Sequence, residues 1–226
     1  MEFTFGIITI GNNSDRVFNI IKSIKDQNIL NFQIVIVGGY PPVDTSIDWI
    51  EFNESIKPKW ITKKKNIITQ YAKYENIVFM HDYIRLMPNW YIGMEKFGNN
   101  WDICMTQILN VTGERFRDWV IWADKDYIAD PSYNGRSGVY SNITKRILPS
   151  YTYNKIENMY ISGAYFIVKK KFMEENPLDE SLIWGQGEDV EWYKRIMLLS
   201  SGFKYVMNPN SKVKLMKYKN SEAELI

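Results

Sequence analysis

Late in the chain, Trp184-Gly185-Gln186-Gly187-Glu188-Asp189-Val190-Glu191-Trp192 sets two adjacent carboxylates behind a glycine-rich turn and ahead of a helix-like run. Glycines take turn conformations closed to other residues, and acids in a first helical turn are favoured by the helix dipole. A carboxylate fixed there can take a proton from a substrate hydroxyl. Acids also gather at helix starts simply as caps, so the pair is read together with its surroundings. Two further clusters carry chemistry. His81-Asp82-Tyr83 closes a strand-like run with the chain's single histidine beside an aspartate; aspartate oxygen suits magnesium or manganese, and imidazole suits manganese. Lys63-Lys64-Lys65 stands at the expected start of a helix, where cations oppose the dipole unless an anion shares the site.

These residues need a scaffold that brings them together, and the hydrophobic pattern supplies one. Residues 3–10 form a β-branched apolar run that ends at Gly11 and reads as a buried strand. Asn12, Asn13 and Ser14 then offer a turn and a cap, and Val17, Ile20, Ile21 and Ile24 recur at helical spacing through residue 26. Residues 32–37 are a second buried strand, stopped by Gly38-Gly39. Strand–helix–strand in this order predicts a parallel pair. Further strands are expected at 48–52, 76–80, 101–109 and 160–168, and helices at 63–74, 90–97, 169–175 and 188–200. Residues 130–138 read as a loop, either a lid or disordered. The lysine-rich tail from Lys212 reads as an exposed extension. The expectation is a single α/β domain over 1–226 with a mostly parallel central sheet flanked by helices. In open α/β sheets ligands bind beyond the carboxyl ends of the strands. The turn after Ile10, Gly38-Gly39 and His81-Asp82-Tyr83 all fall at such ends.

Composition narrows the function. With 28 basic and 26 acidic residues the net charge is +2, a balance that provides no field for wrapping nucleic acid. One cysteine, Cys104, excludes an intrachain disulfide framework and fits a reducing compartment. No run approaches the roughly 18 apolar residues of a membrane span, and the N-terminus lacks the pattern of a signal peptide. Cytoplasmic residence is expected. The aromatic fraction of 15% leaves rings to spare for stacking on a sugar or a base.

Three segments together resemble the GT-A fold nucleotide-sugar glycosyltransferases, close to the large family-2 group. The first is Thr4-Phe5-Gly6-Ile7-Ile8-Thr9-Ile10 with its helix and Gln33-Ile34-Val35-Ile36-Val37. The second runs from Lys63-Lys64-Lys65-Asn66 to His81-Asp82-Tyr83. There Lys65-Asn66 stands for the family's Arg-Asn, and His81-Asp82-Tyr83 occupies the Asp-x-Asp place. The third joins Ile161-Ser162-Gly163-Ala164 to Trp184-Gly185-Gln186-Gly187-Glu188-Asp189. It is similar to the Trp-Gly-x-Gly-Glu-Asp block of galactosyltransferase-type enzymes.

The resemblance implies an inverting transfer of a sugar from a nucleotide-diphosphate sugar to an acceptor hydroxyl on a glycan or glycoconjugate. In that pattern residues 1–109 form the nucleotide-sugar-binding half and 110–226 the acceptor and catalytic half. Asp189 would be the base and Glu188 its partner. Thr9, Ile10, Gly38, Gly39, Lys65, Asn66, His81, Asp82 and Tyr83 would hold the donor, with manganese or magnesium at Asp82 and His81. Trp184, Asp118 and Trp119 would face the acceptor. A sugar nucleotidyltransferase, or a catalytically inactive carbohydrate-binding module of the same fold, are the alternatives.

Overall fold

The computed structural model describes residues 1–122, 146–152, 159–199, 202–220 and 223–225. The expected loop at 130–138 lies outside them. The chain opens with β1 (Phe3–Ile8), α1 (Ser14–Lys25) and β2 (Phe32–Val37), followed by β3 (Asp48–Ile50) and α2 (Ile61–Tyr71). Next come β4 (Asn76–His81), β5 (Ile84–Leu86), α3 (Trp90–Phe97), β6 (Ile103–Leu109) and β7 (Trp119–Trp122). The last elements are β8 (Arg146–Leu148), β9 (Met159–Ile161), β10 (Tyr165–Lys169), α4 (Lys170–Glu175), α5 (Glu188–Leu199), β11 (Tyr205–Leu215) and β12 (Ala223–Leu225).

Eight strands make the central sheet in the order β3-β2-β1-β4-β10-β6-β11-β5, and a smaller sheet runs β12-β8-β7-β9. In the large sheet β1–β2, β1–β4, β2–β3 and β6–β11 pair in parallel, while β4–β10, β6–β10 and β5–β11 are antiparallel. Every residue of β1 and β4 is buried, as expected for parallel strands covered on both faces. Helices lie against the sheet. Gly6 lets α2 press directly on β1, since a Cβ there would sit 2.3 Å from Ile68. Beyond the sheet, Trp90 packs its ring against Phe3 and Phe5 at 5.2 and 5.7 Å between centroids.

Two features of the register position the site. Ile8 pairs with both Val37 and His81, so β1, β2 and β4 end level and Thr9, Gly38 and Asp82 follow side by side. The stretch expected as one strand at 160–168 is two. It breaks at Ser162-Gly163-Ala164, with β9 in the small sheet and β10 in the large one. The tail differs more. Instead of an exposed extension, residues 205–215 form β11 between β6 and β5, with Ser211, Val213 and Leu215 buried. Strands from the first and second halves of the chain therefore interleave in one sheet.

Candidate active site

The acidic pair opens α5, and its seat is the break between β9 and β10. Asp189 accepts two backbone N–H groups, from Gly163 at 2.9 Å and from Val190 at 3.0 Å. Glu188 is buried beside it. A Cβ on Gly163 would lie 2.8 Å from a Glu188 oxygen and 3.0 Å from Asp189, so a side chain there would press on both carboxylates. Gly163→Ala is expected to force the pair apart, cost about 1–3 kcal/mol of stability and remove activity. A melting curve together with an activity assay checks this, and unchanged values for both would refute it.

Burial, reinforced by the Asp189 charge, pushes Glu188 up to about 8 from an ordinary 4.5, against the pull of Lys65. At neutral pH Glu188 therefore keeps its proton. The folded chain binds that proton between about 4.5 and 8 while the unfolded chain has lost it. Stability from this group is greatest below 4.5 and falls as pH rises, by at most about 1.4 kcal/mol per pH unit. Glu188→Gln should gain stability relative to the native protein as pH goes from 5 to 8. Parallel chemical denaturation of the two proteins at those pH values measures the difference; parallel pH profiles would contradict the assignment.

The loop that delivers the acids is clamped by the start of α2. Lys57 donates to the carbonyls of Glu180 and Ser181, the Trp60 indole to Glu180 and the Thr62 hydroxyl to Leu182. Lys63 pairs with the Glu180 carboxylate at 2.9 Å. Asn66, expected to touch the donor, instead exchanges hydrogen bonds with Leu178 and donates to Glu180. The anion that relieves Lys63 at this helix start is thus Glu180, from the chain itself. Gly185 and Gly187 then turn with φ of +86° and +70°, leaving Trp184 51% exposed with Lys59 over its ring at 4.7 Å.

Lys64 and Lys65 are both 1% exposed. Lys65 donates to the Gly163 carbonyl at 2.5 Å, and burial lowers its pKa against the pull of Glu188 and Asp189. It lies buried beside the acids as their counter-ion, where the sequence reading expected it at the diphosphate. Lys64 donates to the Thr9 carbonyl at 2.7 Å and pairs with Glu54, tying the end of β1 to the loop before α2.

A cavity of about 290 Å³ opens over the acids, lined by Glu188, Asp189, Gly163, Ser162 and Trp184 on one part and by His81, Tyr83, Phe116, Arg117 and Lys219 on another. Asp82 lies between His81 and Tyr83 but accepts a hydrogen bond from the Thr9 hydroxyl at 2.8 Å. Thr9 in turn lines a second, larger hollow of about 670 Å³ with Gly11, Val17, Phe18 and Tyr40. Asp82 lines neither hollow itself; its neighbours His81 and Tyr83 line the first and its partner Thr9 the second. Gly38 and Gly39 sit beside Thr9 with φ of +89° and +69°, and a Cβ on Gly38 would meet the Thr9 carbonyl at 2.3 Å. Ile10 is exposed next to them.

The expected cation site at Asp82 and His81 is poor. Among the described residues no three His, Cys, Asp or Glu side chains come together. The buried His81 leaves Nε2 without a partner, but burial and the charges of Lys65, Lys219, Lys217 and Lys64 hold its pKa well below the usual range. Four lysines that disfavour imidazolium also disfavour a divalent ion. These two residues alone do not fit a metal.

Asp118 and Trp119, expected to face an acceptor, are both buried. Asp118 is fully buried and paired with Arg115 at 2.7 Å. Trp119 is buried against Tyr205, 4.5 Å between ring centroids. Phe116, Arg117, Tyr160 and Lys219, which the sequence reading did not single out for the site, also line the cavity, as does Ser162, quoted there only within a motif.

No family model matches the chain, and no curated protein sequence matches it. Solved structures do. The structure of GalNAc-T7 with UDP, GalNAc and Mn2+ superposes with a TM-score of 0.65 at 14% identity, covering 99% of this chain and 46% of that one. This chain has the GT-A fold. S. aureus TarS 1–349 matches with a TM-score of 0.51 at 11% identity, covering 96% of this chain and 59% of that one. The chain thus spans about half the length of the structures it matches. No described helix is long and apolar enough to cross a membrane.

Proposed function

We propose that the protein is a glycosyltransferase that moves a sugar from a nucleotide-diphosphate sugar to an acceptor hydroxyl on a glycan or glycoconjugate. The observation that carries this reading is the seat of Asp189. It is a carboxylate fixed by two backbone donors, in a cavity shared with residues at the end of β4. The fold is shared with GalNAc-T7, whose structure holds UDP, GalNAc and Mn2+.

In this reading the nucleotide base lies in the apolar hollow against Thr9 and Tyr40, and the sugar reaches over Tyr83 toward the acids. The acceptor enters past Trp184, whose exposed ring offers a stacking face. Asp189 takes the proton as the acceptor oxygen attacks the anomeric carbon. The bond from that carbon to the diphosphate breaks, and its electron pair leaves on the nucleotide. One displacement of this kind inverts the anomeric configuration. Glu188, protonated at neutral pH, does not compete as a base.

The test is nucleotide release from a panel of nucleotide sugars, with and without acceptor saccharides, in manganese and in chelator. Release that depends on one donor, with an inverted linkage by nuclear magnetic resonance, supports the proposal. Binding without turnover of any donor rejects catalysis, and a retained linkage rejects Asp189 as the base of a single displacement.

A further inference from the structure

The cavity has a basic wall built with care. Lys219 donates to the Tyr83 hydroxyl at 2.8 Å and lies 4.4 Å from the ring centroid, and Lys217 lies over the same ring at 4.2 Å. The buried Asn110 grips the Lys219 backbone from both sides, donating to its carbonyl at 2.6 Å and accepting its N–H at 3.3 Å. Arg117 reaches the next carbonyl, that of Asn220, at 3.4 Å. Two lysines are thereby held on one phenol, with Arg117 lining the same cavity, although like charges crowded together disfavour the folded state. No carboxylate among the described residues forms an ion pair with Lys219; Asp189 and Glu188 act on it only through space. Burial and the charges of Lys217 and Arg117 press it down to about 8, so most of its charge remains at neutral pH. The Tyr83 hydroxyl accepts from Lys219, which leaves its own proton to donate to an oxygen in the cavity.

We propose that Lys219, flanked by Lys217, Arg117 and the Tyr83 hydroxyl, holds the diphosphate of the nucleotide, and that this binding needs no divalent cation. The proposal rests on the glycosyltransferase reading and names its leaving-group site. As the bond to the anomeric carbon breaks, negative charge grows on the diphosphate oxygen, and fixed cations in a part-buried site stabilise it. Asn110 is a positioning residue, acting through the Lys219 backbone.

The experiment is calorimetric titration of the whole chain with uridine diphosphate, guanosine diphosphate and inorganic pyrophosphate, in chelator and then in manganese. Binding in chelator is expected, weakening as sodium chloride rises. Lys219→Gln should weaken it by about tenfold or more, the size of a lost charge-assisted hydrogen bond. Lys219→Arg should retain most of the affinity. Lys217 is partly exposed, so Lys217→Gln tests the same wall without threatening the fold. Binding that vanishes in chelator and returns with manganese overturns the proposal. So does equal affinity in the Lys219→Gln and Lys217→Gln variants. If those variants bind like the native protein while a nucleotide sugar is turned over, this subsite is wrong and the transferase reading stands. If the native protein binds no diphosphate under either condition, both fall.

Discussion

Asp189→Asn is expected to lower sugar transfer by about 10²–10⁴-fold, the range general-base assistance supplies, while nucleoside diphosphate affinity stays within about threefold. The separation follows from position. Asp189 touches Gly163 and Val190, whereas the basic wall at Lys219 stands against Tyr83, on the part of the cavity formed by His81, Arg117 and the tail. Both Asp189 oxygens accept from N–H groups, so an asparagine must set its own N–H₂ against one of them. The accompanying loss of stability should be about 1–3 kcal/mol, and a melting curve separates it from the catalytic effect. Glu188→Gln provides the contrast. Glu188 already holds a proton up to about 8, and glutamine resembles that neutral form, so its loss of rate at pH 7 should be far smaller. Single-turnover nucleotide release at saturating donor measures both. Normal turnover by Asp189→Asn, or an equal loss in Glu188→Gln, would remove Asp189 from the role of base.

How much of this was legible depends on how far away each residue's partner lies. The first strand, first helix and second strand were readable, because apolar runs and helical spacing are local properties. The acidic pair was readable for the same reason: its glycines and its helix start stand in one short motif. The buried lysines were not. Lys64 and Lys65 find their carbonyl partners 55 and 98 residues away in sequence, and nothing nearby distinguishes them from solvated lysines. The tail was misread by weighing its charges above its alternation. Exposed Lys212 and partly buried Lys214 interleave with buried Val213 and Leu215, the period-two pattern of a half-buried strand. That one error hid Lys217 and Lys219, since a strand there carries them back over Tyr83. The break within 160–168 had a signal as well, a glycine inside a strand-like run.

Asp118→Ala is expected to cost about 3–5 kcal/mol, the size found when one partner of a buried ion pair is removed. Asp118 was expected at the acceptor, and its environment argues for a different role. Its carboxylate accepts from the Arg115 guanidinium at 2.7 Å, the Trp119 and Ile108 amides at 2.6 and 3.2 Å, and the Tyr151 hydroxyl at 2.9 Å. Burial raises its pKa and Arg115 opposes the rise. Without it, four donors lose their acceptor, and Arg115 is left with the carbonyls of Pro149 and Trp119 and the Tyr151 ring. For a chain of this length the melting temperature should drop by about 6–20 °C. Arg115→Ala combined with Asp118→Ala should cost less than the sum of the two single changes, because the pair shares one network. Activity should fall too, by an indirect route. The network fixes the turn that carries Phe116 and Arg117 to the cavity, so weaker diphosphate binding should accompany the lost stability. A melting temperature within about 2 °C of the native value would mean that this carboxylate is not a structural keystone, and would return it to consideration as a ligand of the acceptor.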